Sequence, residues 1–207
     1  MRHFISAGPL GFGTAAVLAL SLTSALAQQL PTTRVRGTIE KVENNTIVVR
    51  SREGTDVNLV FGDKIGVVGL KKIALAEIPA NAFVGVAAQP RPDGRQDAIS
   101  IHVFPESARG TNEGYRSYDV RPNSSMTNGA AAQRVKSTDG DVLTVTYKDG
   151  EKTFVITPET AVVRFEPGDV SELRPGAKIV ATVQEKPDGT TDATRVLVGR
   201  DGITPAM

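Results

Sequence analysis

The feature that most constrains the fold is an internal repeat, in which two stretches carry the same order of turns and apolar positions. The stretch 45–54 (NTIVVRSREG) aligns with 141–150 (DVLTVTYKDG) at an offset of 96 residues, and 92–94 (PDG) aligns with 187–189 (PDG) at an offset of 95. Turns repeated in the same order indicate that one supersecondary unit was duplicated. The change of offset predicts a single insertion or deletion, which we place within 67–75.

Each repeat unit is predicted to consist of β-strands. Apolar residues alternate with polar ones at Val35, Gly37 and Ile39, and the same period of two recurs along both units. Asp-Gly pairs between the apolar runs supply the positive φ that tight hairpin turns require. The only candidate for a helix is 71–78, with one or two turns. We expect strands near 34–42, 46–52, 55–61, 64–69, 82–89 and 97–104, and again near 134–138, 141–147, 152–157, 160–165, 177–185 and 191–198.

One strand leaves the alignment ambiguous. The repeat places Leu59 opposite Val155 in the alignment, which leaves Phe154 and Ile156 facing the other side. Either both faces of this strand are covered or the register is wrong by one residue.

The strands are expected to close into barrels, because closure removes unpaired strand edges. A unit of about 70 residues is only marginally stable alone, and the chain has no Cys to form a disulfide. We therefore predict two tandem, small antiparallel β-barrels that pack together or exchange strands. The predicted boundaries are a first module at 33–105, a long irregular linker at 106–133, a second module at 134–200 and a tail at 201–207.

The first 27 residues have the pattern of a secretory signal peptide. Arg2 precedes an apolar stretch at about 12–22, and small residues stand at Ala25 and Ala27. The apolar stretch is shorter than the roughly 20 residues that span a bilayer, so a retained anchor is the less favoured alternative. We predict a signal peptide at 1–27, cleavage after Ala27, a periplasmic or secreted protein, and no membrane span in the remaining chain.

The linker contains the candidate ligand-binding residues. At 28 residues, 106–133 is long for a connection, and long loops are either functional or disordered. It carries Tyr115, Arg116 and Tyr118, whose side chains can anchor to a barrel or contact a ligand. These three residues are our candidates for a binding site.

The run 35–42 (VRGTIEKV), followed by a turn and 46–49 (TIVV), resembles exported bacterial domains of unknown function that form small OB-like β-barrels, and 173–176 (LRPG) is similar to the second half of that module. The linker motif 114–119 (GYRSYD) and the tail motif 198–202 (VGRDG) resemble a two-module alphaproteobacterial subgroup. The resemblance implies two OB-like barrels after a signal peptide, and it carries no chemistry. Relatives are sometimes labelled metal ABC transporter permease, but this chain lacks the spanning helices of a permease.

Residues suited to catalysis or metal binding are sparse. The absence of Cys excludes thiol chemistry, and His102 is the only His beyond the predicted leader, where we expect an ordinary, partly exposed side chain. The Asp-Gly pairs are explained by hairpin turns rather than by calcium binding. Ser124 and Ser125 lack a nucleophile elbow, and no carboxylate pair stands out. We predict no catalytic residue, no metal site and no cofactor.

The charge balance argues against nucleic-acid binding. The chain has 24 basic and 23 acidic residues and few aromatic ones, and we expect Arg34, Arg36 and 71–72 to be solvated basic spots. We predict a non-catalytic exported β-module that binds an envelope protein, a glycan or a small ligand. The alternatives are a soluble accessory protein of envelope transport or metal homeostasis and, less favoured, a carboxylate-dependent hydrolase.

Overall fold

The computed structural model describes residues 31–136 and 140–206, and its regular elements in these ranges are twelve strands and three single-turn 3-10 helices. The all-β prediction is confirmed. The predicted signal peptide, 1–27, lies outside the described residues. The strands are β1 (Thr32–Glu43), β2 (Thr46–Ser51), β3 (Asp56–Lys72), β4 (Phe83–Pro90), β5 (Gln96–Val103), β6 (Gly114–Ser117), β7 (Ser125–Val135), β8 (Asp141–Tyr147), β9 (Gly150–Ile156), β10 (Ala161–Pro167), β11 (Lys178–Glu185) and β12 (Thr191–Gly199). The 3-10 helices are Leu75–Glu77, Glu106–Ala108 and Val170–Glu172.

Five strands close into a barrel in the order β1, β2, β3, β12 and β11. Neighbouring strands are antiparallel except at the closure, where β12 runs parallel to β3. Alternate side chains of each strand point inward. The buried interior includes Ile39, Ile47, Val49, Leu59, Phe61, Ile179, Ala181, Val196 and Val198.

The remaining strands continue the same sheet. They follow the order β10, β5, β4, β7, β8 and β9. The short strand β6 pairs with the N-terminal part of β7. In addition, β9 pairs in parallel with β5 through Phe154 opposite Gln96 and Val155 opposite Asp97. These strands surround a second apolar cluster that includes Val84, Val86, Ile101, Leu143, Val145 and Phe154.

The closed barrel takes strands from both predicted modules. β1, β2 and β3 belong to the first repeat unit, whereas β11 and β12 belong to the second, and conversely β4 and β5 of the first unit pair with β7, β9 and β10. One barrel per module is therefore not confirmed, and the strand exchange expected as one of two arrangements is observed. Three strands alone leave two edges open, which the hairpin of the other unit covers.

The pairing also corrects the register of the repeat. Leu59 pairs with β2 and Phe154 pairs with β8 at corresponding positions, so Phe154, and not Val155, is the counterpart of Leu59. The one-residue difference lies in the hairpin between these strands, which is shorter in the second unit, and not within 67–75. Phe154 and Val155 are both buried, because both faces of β9 are covered.

The two halves of the chain meet where β3 and β10 form an antiparallel pair. Leu70 lies opposite Phe165, and these two residues are counterparts at an offset of 95. In the same strand pair Val68 lies opposite Pro167, and Lys72 lies opposite Val163. At an offset of 95 the counterpart of Val68 is Val163 and the counterpart of Lys72 is Pro167, so these two residue pairs are counterparts of each other. Counterparts that pair with each other in this way are typical of an interface with two-fold symmetry.

The prediction of an irregular linker at 106–133 is wrong for β6 and for most of β7. Ser, Thr, Asn, Gly and Ala dominate β7, and this composition is typical of loops. In the structure these small side chains are buried between neighbouring strands. A Cβ atom on Gly129 would lie 2.2 Å from the carbonyl oxygen of Thr146, so only glycine fits at this close approach.

Candidate functional site

A cleft of about 450 Å³ lies between the outer face of the closed barrel and strands β4 and β7. Its floor is apolar and aromatic. The rings of Phe104 and Phe165 pack edge to face with centroids 5.0 Å apart, and Phe83 lies 5.6 Å from Phe104. Val180 and Leu197, on the outer faces of β11 and β12, also line the cleft. The cleft therefore offers an apolar surface to a molecule that enters it.

One wall of the cleft carries two arginines in a single row across three strands. Arg34 of β1 pairs with Thr182 of β11, and Thr182 pairs with Arg195 of β12. Residues directly opposite one another in antiparallel strands project to the same face. The guanidinium carbon of Arg195 lies 5.8 Å from the centroid of the Phe165 ring. We call Arg34, Thr182 and Arg195 the arginine row.

The segment 114–121, which we call the strap, supplies two further side chains. Alternation along the strap places Arg116 and Tyr118 on the cleft side. Tyr115 points the other way, is 48% exposed, and its ring centroid lies 4.8 Å from the Lys152 ammonium group. The structure thus brings two of the three sequence candidates together in the cleft and leaves Tyr115 outside it.

An ion pair holds the strap against the closed barrel. The Asp119 carboxylate accepts two hydrogen bonds, of 2.8 and 2.9 Å, from the guanidinium of Arg36, which is only 8% exposed. Arg52 donates to two backbone carbonyls of the strap at 3.0 and 3.1 Å. The hydrogen bonds from Arg36 lower the pKa of Asp119. Tyr118 is consequently fixed beside the guanidinium groups of Arg34 and Arg36, whose carbons lie 5.2 and 5.7 Å from its ring centroid.

Two buried polar atoms of the cleft residues lack hydrogen-bond partners among the described residues: the Tyr118 hydroxyl and Oδ1 of Asn128. Asn128 is 3% exposed, and its Nδ2 donates to the carbonyl of Thr111 at 3.3 Å. Burial raises the pKa of Tyr118, against the opposing effect of the nearby guanidinium groups, so the hydroxyl keeps its proton at neutral pH. Buried polar atoms are nearly always bonded, so Asn128 Oδ1 is an unmatched acceptor in the cleft, whereas the Tyr118 hydroxyl lies close enough to the Arg36 guanidinium for that group to affect its pKa.

Positive charge is in excess in the cleft. Glu166 is the acidic residue among the described lining residues, and its carboxylate accepts a 2.7 Å hydrogen bond from Arg200. Within residues 31–136 and 140–206, neither Arg116 nor Arg195 has a carboxylate within ion-pair distance. Arg34 approaches Asp119 only to 3.9 Å.

Desolvation also acts on these arginines. Burial, together with a smaller effect of the Arg34 charge, lowers the pKa of Arg116. Partial desolvation lowers the pKa of Arg195 as well, although that residue as a whole stays exposed. Cations that lack a counterion in a partly dry site are expected to attract an anion.

No family model, no curated protein and no solved structure matches this chain. The function is therefore inferred from the cleft itself. In the part of the chain that the structure describes, no helix combines the length and apolar character needed to cross a bilayer. The same part contains no cluster of three or more His, Asp or Glu side chains arranged to hold a metal ion.

The sequence analysis missed Arg34, Arg195 and Asn128 as site residues. Arg34 was expected to be a solvated basic residue, and only the exchange of strands brings it beside Arg195. Asn128 lies in a strand that composition indicated as linker. The repeat alignment could have indicated Arg195. Its counterpart at an offset of 95 is Ser100, so the positive charge is present in only one of the two repeat units.

His102 was expected to be partly exposed and is buried instead, at 1% exposure. Its Nδ1 lies 3.3 Å from the carbonyl oxygen of Gly85, and its ring packs edge to face against Phe165 at 5.9 Å. Burial lowers the pKa of His102 to about 4, so the ring is neutral at pH 7. The expectation failed because both faces of β5 are covered.

Proposed function

We propose that this protein is a non-catalytic binding module whose cleft takes up a small organic molecule with an apolar body. The observation that carries the proposal is a phenylalanine-lined cleft whose lining includes a buried polar atom without a hydrogen-bond partner, Asn128 Oδ1. A volume of about 450 Å³ falls within the range of roughly 300–1,000 Å³ typical of small-molecule sites.

The apolar body of the ligand would cover Phe104 and Phe165, and its polar substituent would face Tyr118 and the arginine row. Each 100 Å² of apolar surface removed from water contributes about 2.5 kcal/mol. The polar contacts then determine orientation and selectivity, as is usual where a few hydrogen-bonding groups stand in an apolar pocket.

The setting of this function is part of the proposal. We propose that the leader at 1–27 exports the protein to the periplasm or the medium and that the ligand is met in the cell envelope. We also propose that β4, β5 and β7–β10 are a second barrel-like unit, derived from the same OB-like ancestor as the closed barrel. The matching registers of the two halves support this descent.

Nuclear magnetic resonance of uniformly ¹⁵N-labelled protein tests the binding function. The probes are two matched pairs, 2-naphthoate with 2-naphthamide and octanoate with octanamide. We expect at least one probe to shift the backbone amide signals of Phe104, Phe165 and Tyr118 in a saturable way at millimolar concentration or below.

A variant that fills the cleft makes the test specific. Ala108 lines the cleft from a 3-10 helix, and Ala108→Phe is expected to abolish the shifts. Ala76 is an exposed alanine in the 3-10 helix at Leu75–Glu77, outside the cleft, so Ala76→Phe is the matched control and should retain them. Shifts that persist in Ala108→Phe, or the absence of shifts with all four probes, would refute the proposal.

A further inference from the structure

We infer that the ligand of this cleft is an organic carboxylate, whose charged group binds at the arginine row while its apolar body lies on the phenylalanine floor. The inference rests on the proposed function and adds the charge of the ligand to it. Three observations carry it: the geometry of the row, the engagement of the nearby carboxylates elsewhere, and the composition of the equivalent row in the other half.

The geometry of the arginine row suits a carboxylate. Arg34 and Arg195 flank Thr182 on one face of three adjacent strands, so two arginine side chains and one threonine side chain lie on the same wall. A guanidinium presents its N–H groups in a planar fork that matches the two oxygens of a carboxylate. Arg116 and Tyr118 line the cleft from the strap, and one N–H of Arg116 donates to the carbonyl of Asn112 at 2.8 Å while its others remain as donors.

The carboxylates of the chain near the cleft are committed to other cations. Asp119 is bound bidentately by Arg36, and Glu166 binds Arg200. The arginines of the cleft are thus left with the weak 3.9 Å approach of Asp119 to Arg34. A ligand carboxylate would supply the missing negative charge beside the apolar floor of the cleft, where such pairing is stronger than in bulk solvent.

The other half of the molecule shows that the fold does not require these arginines. The row equivalent to Arg34, Thr182 and Arg195 consists of Met126, Ala87 and Ser100, which are opposite one another across β7, β4 and β5. All three are buried and none is charged. Because the same backbone is built there with small and apolar side chains, the backbone itself does not require arginines at these positions.

The matched probes test the charge directly. Isothermal titration calorimetry at low ionic strength should show that 2-naphthoate and octanoate bind at least tenfold more tightly than their amides. Added salt should weaken binding of the acids more than that of the amides, because it screens exposed arginines.

Variants assign the selectivity to the arginine row. Arg195→Gln should lower the affinity for the acids at least tenfold and leave the amides unchanged, and Arg116→Gln is a second variant on the strap. Arg174 is exposed and outside the cleft, so Arg174→Gln is the matched control and should change neither. Urea midpoints and circular dichroism establish that each variant is folded.

The outcomes separate the two proposals. If acid and amide bind equally at the cleft, the inference about charge is overturned and the binding function stands. If the acids still bind more tightly than the amides in both Arg195→Gln and Arg116→Gln, other residues recognise the carboxylate and the inference is again overturned. If no probe binds, both proposals fail.

Discussion

The hairpin β4–β5 and the hairpin β11–β12 are the same part of the repeat in two different surroundings. Each completes a sheet begun by the other half of the chain, and each has a register shift at the corresponding point, between Ala87 and Ala88 in one and between Thr182 and Val183 in the other. β5 and β12 also each run parallel to a strand of the opposite unit. The backbone is therefore duplicated down to its irregularities.

The difference between the two hairpins lies in the residues that point away from the apolar cores. On the β12 side these residues form the arginine row and open into the cleft. On the β5 side the equivalent positions are buried, and His102 occupies the place of Leu197. The inward-facing positions are therefore apolar in both halves, whereas the outward-facing positions are buried in one half and line the cleft in the other.

The largest effect on the free energy of unfolding is expected at a position where both halves of the molecule have a glycine. Gly37 and Gly129 occupy equivalent places, and a Cβ atom on either would lie 2.1 or 2.2 Å from a backbone carbonyl oxygen of the adjacent strand. A backbone carbonyl within a hydrogen-bonded sheet cannot move aside as the end of a flexible side chain can. We expect Gly37→Ala and Gly129→Ala each to lower the free energy of unfolding in urea by about 3 kcal/mol or more.

Gly62 provides the control, because it lies in β3 with open space around the position of a Cβ atom. Gly62→Ala should change the free energy of unfolding by no more than about 1 kcal/mol, in the stabilising direction. If one of the two tight glycines tolerates alanine and the other does not, the equivalence of the halves fails at this position.

The next largest effect is the pH dependence of stability that comes from the buried His102. It has no counterpart in the other half, where Leu197 occupies the equivalent position. The pKa of His102 is about 4 in the folded protein against about 6.5 when unfolded, so the unfolded chain takes up the proton first as pH falls. The contribution of neutral His102 to stability is complete above pH 6.5 and is lost on the way down to pH 4. The expected loss is about 2 kcal/mol at pH 5 and about 3 kcal/mol at pH 4.

His102→Leu copies Leu197 and removes this titration. Urea unfolding of the wild type and the variant at several pH values between 7 and 4 isolates the effect, because the carboxylates are common to both proteins. We expect the variant to lose less stability than the wild type by the amounts above. Parallel curves for the two proteins would show that His102 is protonated as easily in the folded state as in the unfolded state.

The strands were predictable from the sequence, whereas their partners were not. Alternation and Asp-Gly turns are local signals, and they placed most strands close to where they occur. The choice of partner is not local, because the sequence pattern alone does not distinguish the hairpin at 83–103 from its copy at 178–199 as the cover for the apolar face of β1. Alternation with a period of two residues indicates only that one face of a strand is buried. It therefore did not indicate that His102, on the second face of β5, is buried as well.

The site was predictable only in the part that lies within one segment. Arg116 and Tyr118, which line the cleft, were candidates because a long connection suggested function. The arginine row was not, since Arg34 and Arg195 belong to different repeat units and become neighbours only through strand exchange. β7 was taken for linker because its small polar residues hide alternation, although Gly129 and its neighbours are packed as tightly as any in the sheet.

A smaller effect is expected from exchanging a pair of core residues between the halves. Leu59 in the closed barrel and Phe154 in the second cluster are counterparts, and both are fully buried. Leu59→Phe should cost about 1–3 kcal/mol through overpacking, and Phe154→Leu about 1 kcal/mol through lost contacts. Urea unfolding measures both, and a neutral Leu59→Phe would contradict the expectation that the closed barrel has no room for a larger side chain at this position.

The smallest global effect is expected from Asp119→Asn, which weakens the attachment of the strap to one half only. Asp119 is 53% exposed, so solvent screens its pair with Arg36, and we expect a loss of about 0.5 kcal/mol in the free energy of unfolding. The effect is concentrated on the strap, because the pair with Arg36 ties the strap to the closed barrel: amide hydrogen exchange in β6 should accelerate several-fold while exchange in β2 and β8 stays unchanged. Asp63→Asn, at an exposed position on β3, is the matched control. Because Arg36 lowers the pKa of Asp119, the wild-type strap should loosen in the same way on acidification through that pKa, and unchanged exchange in the variant would show that Arg52 and the pairing of β6 with β7 hold the strap without the ion pair.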